Sequence, residues 1–183
     1  MIVLLLANGF EEIEALTPLD MLRRAGVNVA SVSISDELTV TGAHGISVIA
    51  DITCDSLDLS CIDFVIFPGG MPGAKNLDES EFTDRIIKAV TENGGRFAAI
   101  CAAPMILGHR GLLMGKNACC YPGFEDELRG AKISYEPCVT DGNITTARGM
   151  GAAIKFSEEI IALVKGKDVQ EKISSSIIRE VTK

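Results

Sequence analysis

The chain has 183 residues, 47% hydrophobic and 23% charged, with no tryptophan and a formal net charge of −8. That length suits one domain with a substantial core. The negative balance speaks against nucleic acid and anionic membrane surfaces, both of which draw on clustered Lys and Arg, and leaves a small substrate as the better-fitting partner.

No run approaches the roughly 20 apolar residues of a membrane span. Short apolar runs alternate with helical patterns, which predicts an α/β fold: a flavodoxin-like, doubly wound, mostly parallel sheet with helices on both faces. Ile2–Leu6 is the first strand. Asn8, Glu11 and Glu12 follow it closely, so it reads as buried strand and not as a signal peptide. Residues 11–25 form a helix with acids in its first turn and Arg23-Arg24 in its last, ended by Gly26 and kinked at Pro18. Residues 27–34 are the second strand, and 39–41 with 45–50 make a hairpin. Phe64–Phe67 is a buried strand running into Pro68-Gly69-Gly70, and 80–93 is a helix with Phe82, Ile86 and Val90 on one face. Arg96–Ile100 is a strand, and 103–109 is a helix ended by Gly111. Residues 117–121, 132–135 and 143–146 are shorter strand candidates. Residues 151–165 form a helix with Phe156, Ile160, Leu163 and Val164 inward and Gly166 as cap, and 168–181 form a last helix.

Six cysteines and two histidines occur without a C-x-x-C pair. Neither a disulfide framework nor a metal centre is expected, and reduced thiols in a cytoplasmic protein are the default. One cysteine stands apart. In Arg96-Phe-Ala-Ala-Ile-Cys-Ala-Ala-Pro-Met105 a buried strand delivers a polarizable residue, small residues follow, and a helix opens at Pro104. That is the pattern of a nucleophile elbow with cysteine in the serine position. The helix N terminus favours thiolate at Cys101. The competing reading makes Cys101 a buried small hydrophobe, as Cys54, Cys61, Cys119, Cys120 and Cys138 are taken to be.

A thiol needs a partner for its proton. His109 lies eight residues further along the helix, roughly 12 Å by helical rise, and His44 occupies the Thr41-Gly-Ala-His-Gly45 turn, so a Cys–His hydrolase has little support. Acids remain. Phe10-Glu-Glu-Ile-Glu14 leaves the first strand at the same rim of the sheet. Glu11 and Glu12 read as complements of the helix dipole. Glu14, one turn further in and between inward Ile13 and Leu16, is placed to be partly desolvated, keep its proton near neutrality and donate to sulfur. Gly69 and Gly70 either form a plain tight turn or let a ligand approach backbone N–H groups as an oxyanion site. Arg148-Gly-Met-Gly151 is too loose for a dinucleotide fingerprint and reads as a structural turn near the site.

In this order, Glu-Glu-Ile-Glu14, Leu22-Arg-Arg-Ala-Gly26, Phe67-Pro-Gly-Gly70, Ala99-Ile-Cys-Ala-Ala-Pro104 and Ala147-Arg-Gly-Met-Gly151 resemble the ThiJ/PfpI superfamily, and closely its DJ branch of parkinsonism-associated protein deglycases. The match covers nearly the whole chain. The resemblance implies one class I glutamine amidotransferase-like domain over 1–183, a homodimer, Cys101 as nucleophile, a protonated Glu14 beside it, and backbone donors from the Gly69-Gly70 turn and Ala102. PfpI-type peptidases place histidine directly after the cysteine, where this chain has Ala102. The DJ branch often has a histidine near the cysteine, where this chain has Tyr121, and can carry an arginine in the place of His44. Tyr121, His44 and Arg24 are counted as neighbours of the site.

For function the resemblance implies a cofactor-independent cysteine enzyme acting on α-oxoaldehydes such as methylglyoxal and glyoxal, or on their early adducts on glycated protein. The rival is a redox-sensing or holdase chaperone protein in which Cys101 is oxidised to the sulfinic acid. A cysteine peptidase or amidase ranks behind both.

Overall fold

Strand β1 (Ile2–Leu6) is apolar at every position because both its faces are covered. Val3 and Leu5 point into one core, and Ile2, Leu4 and Leu6 into another on the opposite side of the sheet. The computed structural model describes residues 1–178. Helix α1 (Glu12–Arg24) follows β1 and continues through Pro18. Then come β2 (Val29–Ser33), the hairpin β3 (Thr39–Thr41) and β4 (Ser47–Ile49), β5 (Ile52–Thr53) and β6 (Phe64–Phe67). Helices α2 (Gly73–Asp78) and α3 (Glu81–Glu92) lead to β7 (Arg96–Ile100) and α4 (Pro104–His109). The chain goes on through β8 (Asn117–Ala118), β9 (Lys132–Ile133), β10 (Cys138–Asp141) and β11 (Ile144–Ala147) to α5 (Ala153–Lys165) and α6 (Lys167–Ser176).

Seven strands form one sheet in the order β10-β11-β7-β6-β1-β2-β5. Every pairing in it is parallel except β10 with β11. Phe82, Ile86 and Val90 of α3 close one core with residues of α2 and α4, and Leu19 and Leu22 of α1 close the other with Phe156 and Ile160 of α5. The doubly wound, flavodoxin-like α/β fold is therefore present. No helix of the described residues is long and apolar enough to cross a membrane.

Several details differ from the sequence pattern. Residues 117–121 and 132–135 yield only two-residue strands, paired with each other outside the main sheet. The short α2 and the edge strands β5 and β10 carry no usable periodicity. Ile13 and Leu163 face outward, exposed by 49% and 37%. The last helix stops at Ser176, and positions 179–181 of its expected span lie outside the described residues.

Candidate active site

β11, β7, β6 and β1 are adjacent and parallel, so their carboxyl ends share one rim. Ligand sites of open α/β sheets form at such rims. Each of the four strand ends supplies one part of this one.

β7 ends at Cys101, whose φ of 64° lies in the left-handed region that side chains avoid. The surroundings hold it there: its N–H donates to the Ala147 carbonyl at 2.9 Å, and its carbonyl accepts from Tyr121 N–H at 2.8 Å. With β7 before it and α4 after it, this is the strand–turn–helix setting that a nucleophile elbow requires.

β6 ends in the Pro68-Gly69-Gly70 turn. The Gly69 carbonyl accepts from Glu11 N–H at 2.9 Å, and its N–H donates to Glu14 Oε2 at 3.0 Å. A Cβ on Gly69 would overlap that carboxyl oxygen and lie 2.6 Å from Cys101 Cβ, so only glycine lets the acid and the cysteine meet. This corrects the expectation of Gly69 as an oxyanion donor, because its N–H is already engaged by Glu14. The N–H groups of Gly70 and Ala102 are the ones that face the Cys101 sulfur.

β1 leads into α1 and Glu14, which is 1% exposed. Burial pushes its carboxyl up, the hydrogen bond with Cys101 opposes, the Glu11 charge adds, the Gly69 N–H opposes, and the result is about 7. Cys101 does not follow the expectation of a favoured thiolate. Burial, and then the Glu14 carboxylate beside it, push the thiol up to about 12, against the N–H groups of Ala102 and Gly70. The helix behind it has only six residues, too short a dipole to reverse that. With the proton on Glu14, the carboxylate's repulsion of the sulfur is gone, and burial remains the main force that keeps the thiol neutral.

The other expected neighbours divide. Tyr121 and His44 line the same cavity as Cys101 and Glu14, which has a volume of about 820 Å³. His44 has a mostly exposed side chain whose Nδ1 lies 2.9 Å from Glu12 Oε2. Arg24 does not belong to the site. It is paired with Asp20 at 2.6 Å near the far end of α1, ten residues and roughly 15 Å of helical rise from Glu14. His109 is also removed, bridging Asp78 at 2.7 Å and Glu127 at 2.8 Å.

Glu12 has a use that dipole complementation does not describe. Its carboxylate accepts from His44 N–H at 2.8 Å and engages the His44 ring, anchoring the 42–46 turn. Burial alone would raise it, but the His44 ring and backbone N–H groups, including those of His44 and Ile46, outweigh that and hold it at about 2. Among the described residues Glu11, Glu12 and His44 are the group whose ligand atoms lie close enough together for a metal ion, within 4.8 Å. Their contacts with one another account for the arrangement.

The cavity wall of Met71, Phe124, Tyr135 and Pro137 was missed by sequence reasoning, and Arg148, expected only as part of a structural turn near the site, also lines the cavity. The wall comes from loops without periodicity. Arg148 was within reach of it, since it directly follows a strand that ends at the active rim.

Residues 1–163 match the model of the DJ-1/PfpI family. A Parkinson disease protein 7 homolog of Danio rerio is 31% identical over 180 residues, covering 96% of this chain and 95% of that protein. A deglycase of Pyrococcus horikoshii is 31% identical over 167 residues, covering 90% of this chain and 99% of that protein. Protein DJ-1 homolog B of Arabidopsis thaliana is 34% identical over 174 residues and 94% of this chain, which spans only 40% of that longer protein, and 45% of its homolog A. The solved structure of oxidized DJ-1 from Toxoplasma gondii superimposes with a TM-score of 0.93 at 31% identity, covering 98% of each chain. The chain belongs to the DJ-1/PfpI family.

Proposed function

We propose that the protein is a cofactor-independent cysteine enzyme that converts α-oxoaldehydes, or their early adducts on protein amines, into 2-hydroxy acids. The observation that carries this is the pairing of Cys101 with a buried carboxyl near 7, beside the Gly70 and Ala102 N–H groups. The deglycase among the relatives supports the same chemistry.

Glu14 accepts the thiol proton as the sulfur adds to the aldehyde carbon, then returns it to the new alkoxide, which gives a hemithioacetal. The Gly70 and Ala102 N–H groups stabilise the oxygen while it is charged. Glu14 next takes the proton from that carbon and delivers it to the adjacent carbonyl oxygen, which gives an enediol. Glu14 then moves the proton of the hydroxyl on the sulfur-bearing carbon to the adjacent carbon, which gives a 2-hydroxy thioester. Water cleaves it to the 2-hydroxy acid and restores the thiol; with a protein adduct the sulfur displaces the amine in the first step, and the amine leaves with the thiol proton carried by Glu14. A carboxyl near 7 suits a group that must both give and take a proton at neutrality.

The test is methylglyoxal incubated with metal-free protein, with lactate as readout. Lactate should form with wild type and not with Cys101→Ser. No lactate from wild type contradicts the proposal.

A second reading has its own support, because the Gly70 and Ala102 N–H groups and protonated Glu14 would also bind the oxygens of a Cys101 sulfinic acid. Mild peroxide should then add two oxygens to the Cys101 peptide, and a Cys101 disulfide would exclude it. A peptidase is disfavoured, since the side-chain partner of Cys101 is Glu14, and among the described residues neither His44 nor His109 hydrogen-bonds the sulfur. We also propose a homodimer, supported by exposed Ile13, Ile46 and Ile49 on α1 and the adjoining hairpin. Light scattering showing a monomer at micromolar concentration would remove that claim alone.

A further inference from the structure

We propose that Arg148 is the specificity-determining residue of this cavity, and that the preferred substrate is an α-oxoaldehyde with an anionic group, carboxylate or phosphate, at the end remote from the aldehyde. The proposal deepens, and rests on, the α-oxoaldehyde reading above.

Register places the arginine. Ala147 pairs with Ile100 and accepts from Cys101 N–H, so Arg148 stands level with Cys101 on the neighbouring strand path, where strands run about 4.8 Å apart. The next residue, Gly149, is close enough to the acid that a Cβ on it would lie 3.8 Å from Glu14 Oε1.

Arg148 is half-buried along the cavity, and it is oriented. Nη1 donates to the Tyr135 carbonyl at 3.4 Å, and the guanidinium carbon lies 5.8 Å from the Tyr135 ring centroid. Arg23, Arg24 and Arg110 each hold an aspartate. Among the described residues Arg148 has no carboxylate within ion-pair distance. The other ionisable side chains lining the cavity include Glu11, Glu14 and His44, and His44 is engaged by Glu12 and Glu11. A positioned guanidinium with most of its planar donor fork free is built for two-point contact with an oxyanion.

Size points the same way. At about 820 Å³ the cavity falls in the range of sites that enclose drug-sized ligands, far more than a three-carbon aldehyde fills. Tyr121, Phe124 and Tyr135 offer apolar walls for the carbons that link the aldehyde to its anionic end.

The experiment compares kcat/KM of wild type, Arg148→Met and Arg148→Lys on 4,5-dioxopentanoate and on 2-oxopentanal, in which a methyl replaces the carboxylate. Wild type should favour the charged aldehyde by about 10- to 100-fold, the worth of a charge-assisted contact. Arg148→Met should bring kcat/KM on the charged aldehyde down to that on 2-oxopentanal, and Arg148→Lys should regain part of the preference. Hydroxypyruvaldehyde phosphate, run beside them, tells a phosphate preference from a carboxylate one. Equal use of charged and neutral aldehydes by wild type, or an unchanged preference in Arg148→Met, overturns the proposal and leaves the reaction assignment standing. If no α-oxoaldehyde is turned over, the reaction assignment has failed instead, and alkylation decides the role of Arg148. The rate of Cys101 modification by iodoacetate relative to iodoacetamide should then fall about tenfold in Arg148→Met, and an unchanged ratio overturns it.

Discussion

Glu12 and Glu14 lie two residues apart at the start of one helix, both almost fully buried, yet they end in opposite chemical states. Burial pushes both upward. Glu12 is supplied with the His44 ring and the backbone N–H groups of the 42–46 turn, which hold it ionised down to about 2. Glu14 receives one backbone N–H, from Gly69, and a thiol, so burial prevails and its carboxyl rises to about 7. Depth and donors together decide a carboxyl's charge: Glu14 is the more desolvated of the two and meets the fewer donors. One acid became a structural anchor, and the other kept a proton that it can exchange.

The largest effect that would break this comparison is on turnover. Glu14→Gln should lower methylglyoxal turnover by roughly 10²–10⁴, the usual loss of a general acid–base, whereas Glu12→Gln should stay within a few-fold of wild type. If Glu12→Gln abolishes turnover and Glu14→Gln spares it, the two roles are exchanged. Gly69→Ala should cost about 10²-fold, because its methyl must separate Glu14 from Cys101; wild-type kinetics there would show that the pair need not touch.

Stability sharpens the contrast with opposite signs. The raised Glu14 gives stability that is complete below 4.5 and lost as pH rises through about 7. Glu14→Gln should therefore be more stable than wild type at pH 8, by at most about 3 kcal/mol, with the advantage shrinking towards pH 5. The depressed Glu12 gives stability present above 4.5 and lost as pH falls through about 2. Glu12→Gln should lose roughly 1.5–3 kcal/mol at neutral pH in urea denaturation, and a neutral effect would mean the 42–46 turn does not depend on it.

The sheet was legible because buried strands such as Ile2–Leu6 and Phe64–Phe67 are unbroken apolar runs flanked by turn residues. Cys101 and Glu14 were legible because each follows a strand in the same parallel sheet, and strand ends of one sheet meet at one rim. The two-residue β5 and the loop-borne Tyr135 and Phe124 were not, since their positions are set by tertiary contacts and not by any local period. The role of Gly69 was misassigned for a similar reason: two glycines in sequence do not reveal which N–H is already taken. The state of Cys101 was misjudged because helix direction is visible in sequence, whereas the length of α4 and the depth of the sulfur are not.

The central claim is that Glu14 is a carboxyl that holds its proton to neutrality beside the Cys101 thiol. Infrared difference spectroscopy of wild type against Glu14→Gln, taken across a pH titration, tests it most directly through the carbonyl stretch of a protonated carboxyl. The account predicts such a band in wild type at pH 6, absent from Glu14→Gln and fading with an apparent pKa of about 7. A Glu14 band already gone by pH 5.5, as for an ordinary exposed glutamate, would contradict it.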